Sequence, residues 1–345
     1  MKVEGYRIHA WGGELQWEPF EVPSPGPGQA LVRVEACAIG LTVLNWMRGD
    51  LGNDPSLLPR VPGHEIVGWV EAVGEGVAVP APGDRVVAYV YLSCGHCKPC
   101  LSGQDSMCVN LAGYVSVHCD GGYAPYVLLP ARNLLPLPTS IPATQAVAIP
   151  DAIGSSLHMV RTRANVRPGD RVAIIGAGGG LGLHMVQIAR LFGAEVAGLE
   201  INVDKHAAIA EAGGQPVHSP AFDGLEPAVF PGGRRPSVVI DLVGQPQSLA
   251  WGLRALVPAG RMVLPTTFRS IDFPVEPREM VLRQLTLLGS RYASKAEVVE
   301  AAELVEAAHI RPVVTQVVSP QDIHKVHRAL QEGSLVGRAA LEWTN

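Results

Sequence analysis

Between residues 171 and 193 the chain reads RVAIIGAGGGLGLHMVQIARLFG. An apolar run, a cluster of glycines and an amphipathic stretch follow one another without a gap. Arg171 to Gly178 suits a buried parallel strand. Gly180 to Gly193 suits a helix, with Gly193 in the position that ends it. A strict G-x-G-x-x-G fits no frame here. G-x-x-G-x-x-G does, over Gly176, Gly179 and Gly182, with Gly180 and Leu181 inside it. Small residues at these places let the chain turn tightly and bring backbone N–H groups to a pyrophosphate at the helix N-terminus. Glu200 closes the next apolar run, about twenty residues further on, where a carboxylate can hold a ribose 2′-OH. A carboxylate repels a 2′-phosphate, so NAD is favoured over NADP; Lys205 nearby softens that preference.

The strand–helix pattern continues. Glu195 to Glu200, Ser237 to Gly244 and Gly260 to Thr266 read as strands. Val203 to Gly214 and Gln247 to Leu256 read as helices between them. Such alternation indicates a doubly wound parallel sheet. The first 135 residues differ. Turn signals recur there between short alternating runs, among them Ala30 to Ile39, Glu65 to Gly74 and Ala81 to Tyr91, which points to an all-β, barrel-like unit. Residues 141–165 are helix-compatible, with Pro142 placed to start a helix. Toward the end, Lys295 to Ile310 and Ser319 to Gly333 read as helices, the second with Ser319 as N-cap, and GRAALEW reads as a last strand.

With 345 residues, 47% hydrophobic and 17% charged, two packed domains are expected. A net charge of -5 without a basic run argues against a nucleic-acid partner. The absence of an uncharged apolar stretch of about 18 residues argues against a membrane span. The opening MKVEGYRIHAWGGE lacks an apolar signal core, so a cytoplasmic location is expected.

Cys94, Cys97, Cys100 and Cys108 have the spacing of a tetrahedral thiolate set. Zinc and an iron–sulfur cluster both take such ligands. A β-rich domain beside a dinucleotide fold favours one structural zinc, with no coordination position left for chemistry. Gly63-His64-Glu65, entering a strand, offers a second candidate metal ligand with a carboxylate beside it.

Together these residues resemble the medium-chain dehydrogenase/reductase superfamily, in its zinc-containing alcohol dehydrogenase-like branch. The resemblance rests on Gly63-His64-Glu65 with Gly68 and Val70, on Pro82 to Val86, on the four-cysteine lobe and on the glycine run, and it spans essentially the whole chain. It implies a GroES-like β-barrel catalytic domain over 1–153 and 289–345, a Rossmann NAD-binding domain over 154–288, and an active site in the cleft. It implies a homodimer or homotetramer assembled through the edge strand near Arg261 to Thr267 and the strand before it. The family's catalytic zinc takes a Cys, the His of the G-H-E motif and a third Cys or Asp. His64 and Asp151 match two of these positions. The Cys position is Gly40, the supporting Asp is Val43, and Cys37 matches a non-ligand cysteine. Glycine cannot ligate through a side chain, so a second, catalytic zinc on His64, Asp151 and Glu65 is left open. The resemblance gives Thr42 the role of passing the substrate proton, with Asn45 where the family relays it through a His. It sends Arg338 to the cofactor pyrophosphate. Trp46, Tyr89 and His118 fall near positions that line family substrate clefts.

Three functions follow for a small-molecule substrate. The first is NAD(H)-dependent hydride transfer with an alcohol or carbonyl compound. The second is zinc-independent reduction of a polarised C=C or C=N bond, as in enoyl-thioester, enone or imine reductases. The third is cofactor binding without turnover.

Overall fold

The computed structural model describes residues 1–51, 53–265 and 271–343. The chain forms two units. One comprises Met1–Asp151, Ala293–Ala308 and Pro312–Asn345; the other comprises Ala152–Tyr292 and His309–Arg311.

In the first unit, β1 (Lys2–Arg7) and β2 (Gln16–Glu21) form an antiparallel pair. The strands β3 (Gln29–Ile39), β4 (Ile66–Val73), β5 (Arg85–Ala88), β6 (Tyr126–Pro130) and β7 (Leu134–Pro136) follow. β3 is central. It pairs antiparallel with β4 and with β6, and Val32, Val34, Ala36 and Ala38 along it are buried. Alternating apolar residues with Gly/Pro turns produce this meander, as the sequence pattern leads one to expect. Where a longer strand to Tyr91 is expected, β5 stops at Ala88.

Among the described residues the second unit holds six parallel strands: β8 (Arg171–Ile175), β9 (Glu195–Glu200), β10 (Gln215–His218), β11 (Val238–Asp241), β12 (Arg261–Leu264) and β13 (Thr286–Gly289). Their order is β10-β9-β8-β11-β12-β13. The direction of winding reverses between β8 and β11, and ligands bind at the strands' carboxyl ends at such a reversal. The sheet's core joins Ile175, Leu199, Val239, Trp251 and Met262. Two expectations are corrected. β12 is an inner strand and β13 is the outer one, so the edge is not at Arg261; Thr266 and Thr267 lie outside the described residues. The stretch expected as a helix from Val203 is a 3-10 turn (Val203–Lys205) followed by a short helix, His206–Glu211.

The chain then returns to the first unit through β14 (Val314–Val318) and β15 (Arg338–Glu342). β15 pairs with β3 in antiparallel register, Ala339 opposite Ile39 and Ala340 opposite Ala38. The helix expected to open at Ser319 begins as a 3-10 turn, Pro320–Asp322, and Ser319 makes no side-chain cap. Residues 141–165 are helical but broken: a short α-helix, Ala143–Ala146, precedes a π-helical turn, Ile149–Ile153. Pro150 lies within that turn and has no N–H for a helical ladder. Among the described residues no helix is long and apolar enough to cross a membrane.

Candidate active site

The end of β3 sets the site. Its last residue, Ile39, is followed by Gly40 in extended conformation, which is the N-cap of a helix over Leu41–Met47. On that helix Thr42, Asn45 and Trp46 share a face by their i, i+3, i+4 spacing. Val43 and Leu44 are buried. Gly40 rather than Thr42 is the cap, so the Thr42 hydroxyl is not spent as a cap acceptor. The Oδ1 of Asn45 accepts from Arg48 Nη2, which leaves its amide nitrogen as a donor.

β15 and β4 flank the same end of β3. The register of β15 places Arg338 opposite Gly40. Ala38 N–H donates to the Glu65 carbonyl at 2.9 Å, which brings His64 and Glu65 beside it. Asp151 comes from the π-helical turn. His64, Glu65, Asp151 and Arg338 are all buried.

Arg338 lies among the carboxylates: Nη2 donates to Glu65 Oε1 and lies 3.7 Å from Asp151 Oδ2. Two carboxylates in a buried place need a cation, and β15 supplies it. Burial holds the Glu65 carboxyl above its usual range, and Arg338 pulls it part of the way back. Burial works against the Arg338 charge, but Glu65 and Asp151 outweigh it and raise its pKa. His64 Nε2 lies 3.6 Å from Asp151 Oδ2, while His64 Nδ1, Glu65 Oε2 and Arg338 Nε are buried without a partner. The unpartnered Nδ1 accords with Val43 standing where the resemblance puts a supporting Asp.

The metal expected here meets a chemical obstacle. Donor atoms of His64, Glu65 and Asp151 do lie within 4.8 Å of one another. A catalytic zinc takes three protein ligands and an open position. Residue 40 has no side chain, and a Cβ built there would overlap Arg338 Nη1 and stand 3.1 Å from its Cζ. Glu65 is engaged by Arg338. Two ligands do not make the set, and the residues as placed do not fit a catalytic zinc.

The four-cysteine lobe does fit a metal. Its sulfurs lie within 4.8 Å of one another, with Cys97 Sγ 3.4 Å from Cys100 Sγ and 3.8 Å from Cys108 Sγ. All four cysteines are free of disulfides. Backbone N–H groups of Cys94 and Cys97 point at Cys108 Sγ and Cys94 Sγ, each at 3.3 Å, as thiolate ligands require. Hydrogen bonds from backbone N–H groups, His96 foremost, draw the Cys94 thiol down to about 6.

An aromatic row adjoins His64. The Trp46 ring lies 4.3 Å from the His64 ring, Tyr114 lies 5.9 Å from Trp46, and Tyr91 lies 5.1 Å from Tyr114. Sequence reasoning found Trp46 but passed over Tyr91 and Tyr114, which meet through an isolated bridge between distant segments. Tyr89, expected to line a cleft, is instead buried, its hydroxyl donating to the Ala293 carbonyl at 2.7 Å. His118 Nδ1 accepts from Tyr114 N–H at 3.2 Å.

In the second unit, β8 ends in Gly176, whose φ of +80° favours glycine. Gly179 is the N-cap of the helix Gly180–Leu191. Gly182 packs so closely that a Cβ would come 2.5 Å from the Ala177 carbonyl oxygen. Leu181, in that helix's first turn, is half-buried. Glu200, at the end of β9, accepts from Gly178 N–H at 3.0 Å and from Asn202 N–H at 3.1 Å. Lys205 packs over the same turn, and burial lowers its pKa. Asp241 at the end of β11 was not anticipated. It accepts from Val243 N–H at 2.8 Å, Gly244 N–H at 2.9 Å and Ser248 Oγ at 2.6 Å, and so fixes the loop at the winding reversal.

Comparison with known proteins gives the same two parts. Residues 26–139 match the alcohol dehydrogenase GroES-like domain and residues 180–307 match the zinc-binding dehydrogenase domain. An alcohol dehydrogenase of Moraxella sp. (strain TAE123) is 31% identical over 345 residues, covering 98% of each chain. The chain is a medium-chain dehydrogenase/reductase. This oxidoreductase is also 29% identical over 347 residues to an acryloyl-coenzyme A reductase of Metallosphaera sedula, covering 99% of each chain. The crystal structure of AibC superposes with a TM-score of 0.90 at 30% identity, covering 100% of the enzyme and 96% of AibC.

Proposed function

We propose that the enzyme is an NADH-dependent reductase of a carbon–carbon double bond conjugated to a carbonyl, with enoyl thioesters as the substrate class. The observation that carries this reading is the Arg338 guanidinium beside Gly40, where alcohol chemistry would need a metal ligand. Conjugate reduction needs oxyanion stabilisation and a proton more than it needs a metal. A nicotinamide cofactor held by the glycine turn from Gly176 to Gly182 and by Glu200 would supply hydride to the β-carbon. The π pair moves to give an enolate on the carbonyl oxygen. A proton from solvent then goes to the α-carbon, so the double bond is reduced as the NADH is oxidised. The Thr42 hydroxyl and the Asn45 amide, on one helix face, are the donors for the enolate oxygen, and the aromatic row from Trp46 to Tyr91 is the apolar wall. Glu200 favours NADH over NADPH. Cys94, Cys97, Cys100 and Cys108 hold a structural zinc that folds their lobe.

A second reading is alcohol oxidation and carbonyl reduction. It is favoured by His64 Nε2 and Asp151 Oδ2 facing one another at 3.6 Å. Both name classes occur among the relatives at similar identity. The test is NADH oxidation with enoyl thioesters and enones, set against NAD reduction with primary and secondary alcohols. The proposal requires turnover with the first panel. Turnover with the second panel alone overturns it, and cofactor binding with neither would indicate a protein without turnover.

A further inference from the structure

The four buried groups at the end of β3 carry an inference that holds whatever the substrate. We infer that Arg338 and Gly40 act as a metal-excluding pair: the guanidinium is the site's permanent cation, and the missing side chain at residue 40 is what admits it. Three observations converge. The register of β15 against β3 puts the two residues opposite each other, so the guanidinium is delivered there by the sheet and not by a mobile loop. A Cβ on residue 40 would meet Nη1, the far end of a flexible side chain, so a residue with a Cβ there would require the guanidinium to turn away from its present position. Nη2 faces both carboxylates of the donor cluster, directly at Glu65 and at 3.7 Å from Asp151.

A divalent ion entering this place would meet a fixed positive charge among the same donor atoms. In a buried site that repulsion is weakly screened. Arg338 is therefore a positioning residue. It holds Glu65 and Asp151 in place around His64 and touches no reacting atom.

The test is zinc content by elemental mass spectrometry on the full chain, after dialysis against excess zinc and then against buffer. The wild type should retain about one zinc per chain, in the four-cysteine lobe. Arg338→Ala should rise to about two, because His64, Glu65 and Asp151 become an available three-ligand set. About two in the wild type overturns the inference, as does a folded Arg338→Ala that stays at one. Should Arg338→Ala fail to fold, Gly40→Ala and Arg338→Lys keep the inference testable. Gly40→Ala should lower the melting temperature in the Arg338 background, and less in the shorter Arg338→Lys background. Equal losses in both would contradict the pairing. Zinc content is independent of which substrate turns over, so this inference and the proposed function can fail separately.

Discussion

The guanidinium of Arg338 stands in the space where a side chain at residue 40 would begin, and Nη2 is paired with Glu65. Both partners are buried, so the pair is energetically asymmetric. Losing one partner strands a charge, whereas replacing both by apolar groups is mild.

Arg338→Met should therefore destabilise the metal-free protein by about 3–5 kcal/mol, the usual cost of breaking a buried pair. Arg338→Met combined with Glu65→Leu should recover part of that loss. Urea unfolding of the two variants checks this. A single variant as stable as wild type would show that the pair carries no such cost.

Glu200 joins the glycine turn to the end of β9 through two backbone N–H groups. Removing a charged hydrogen-bond partner is worth about 1.5–3 kcal/mol, or roughly 10–100-fold in affinity. Glu200→Ala should weaken NADH binding by about that factor and narrow the preference over NADPH. Fluorescence titration with both cofactors measures it. Unchanged NADH affinity would remove Glu200 from the cofactor site.

How far the sequence reaches is clearest in the second unit. Glu195 to Glu200 reads as a strand and is one, because the four apolar residues between its two glutamates are all buried, as in a strand covered on both faces. The same reasoning misses β10 and β13. Gln215 and His218 of β10 are exposed, as are Thr286 and Gly289 of β13, so neither strand carries the buried-strand signal. In the site, sequence spacing found His64, Asp151 and the gap at Gly40. It does not reveal the Arg338–Glu65 pair, because the two residues are 273 apart in the chain and only the sheet brings them together. It also missed the break at residues 149–153, where tertiary packing keeps Pro150 inside a helical segment that propensity alone would end.

The cysteine lobe offers a separable test. Cys100→Ser should lose about one zinc per chain, since structural sites need all four ligands. Limited proteolysis should then cut within residues 94–108. Retention of the zinc would mean that another group can replace Cys100.

His327 is buried beneath Tyr123, whose hydroxyl lies 3.3 Å from its Nε2. Burial, with His324 nearby, lowers its pKa to about 4. The unfolded chain binds this proton from about pH 6.5 downward and the folded chain does not. Stability from this group is therefore full above pH 6.5 and lost as pH falls toward 4, amounting to about 2 kcal/mol by pH 5. Urea unfolding at pH 7 and pH 5 should show the loss, and His327→Phe should flatten it. An equal slope in the variant would assign the pH dependence elsewhere.

The most direct test of the central claim is the destination of the hydride. The enzyme is supplied with NADH carrying deuterium at the transferred C4 position and an enoyl thioester, and the product is examined by NMR. The account predicts deuterium at the β-carbon, with the α-carbon proton drawn from solvent. Deuterium at the carbonyl carbon, in an aldehyde or alcohol product, would contradict it.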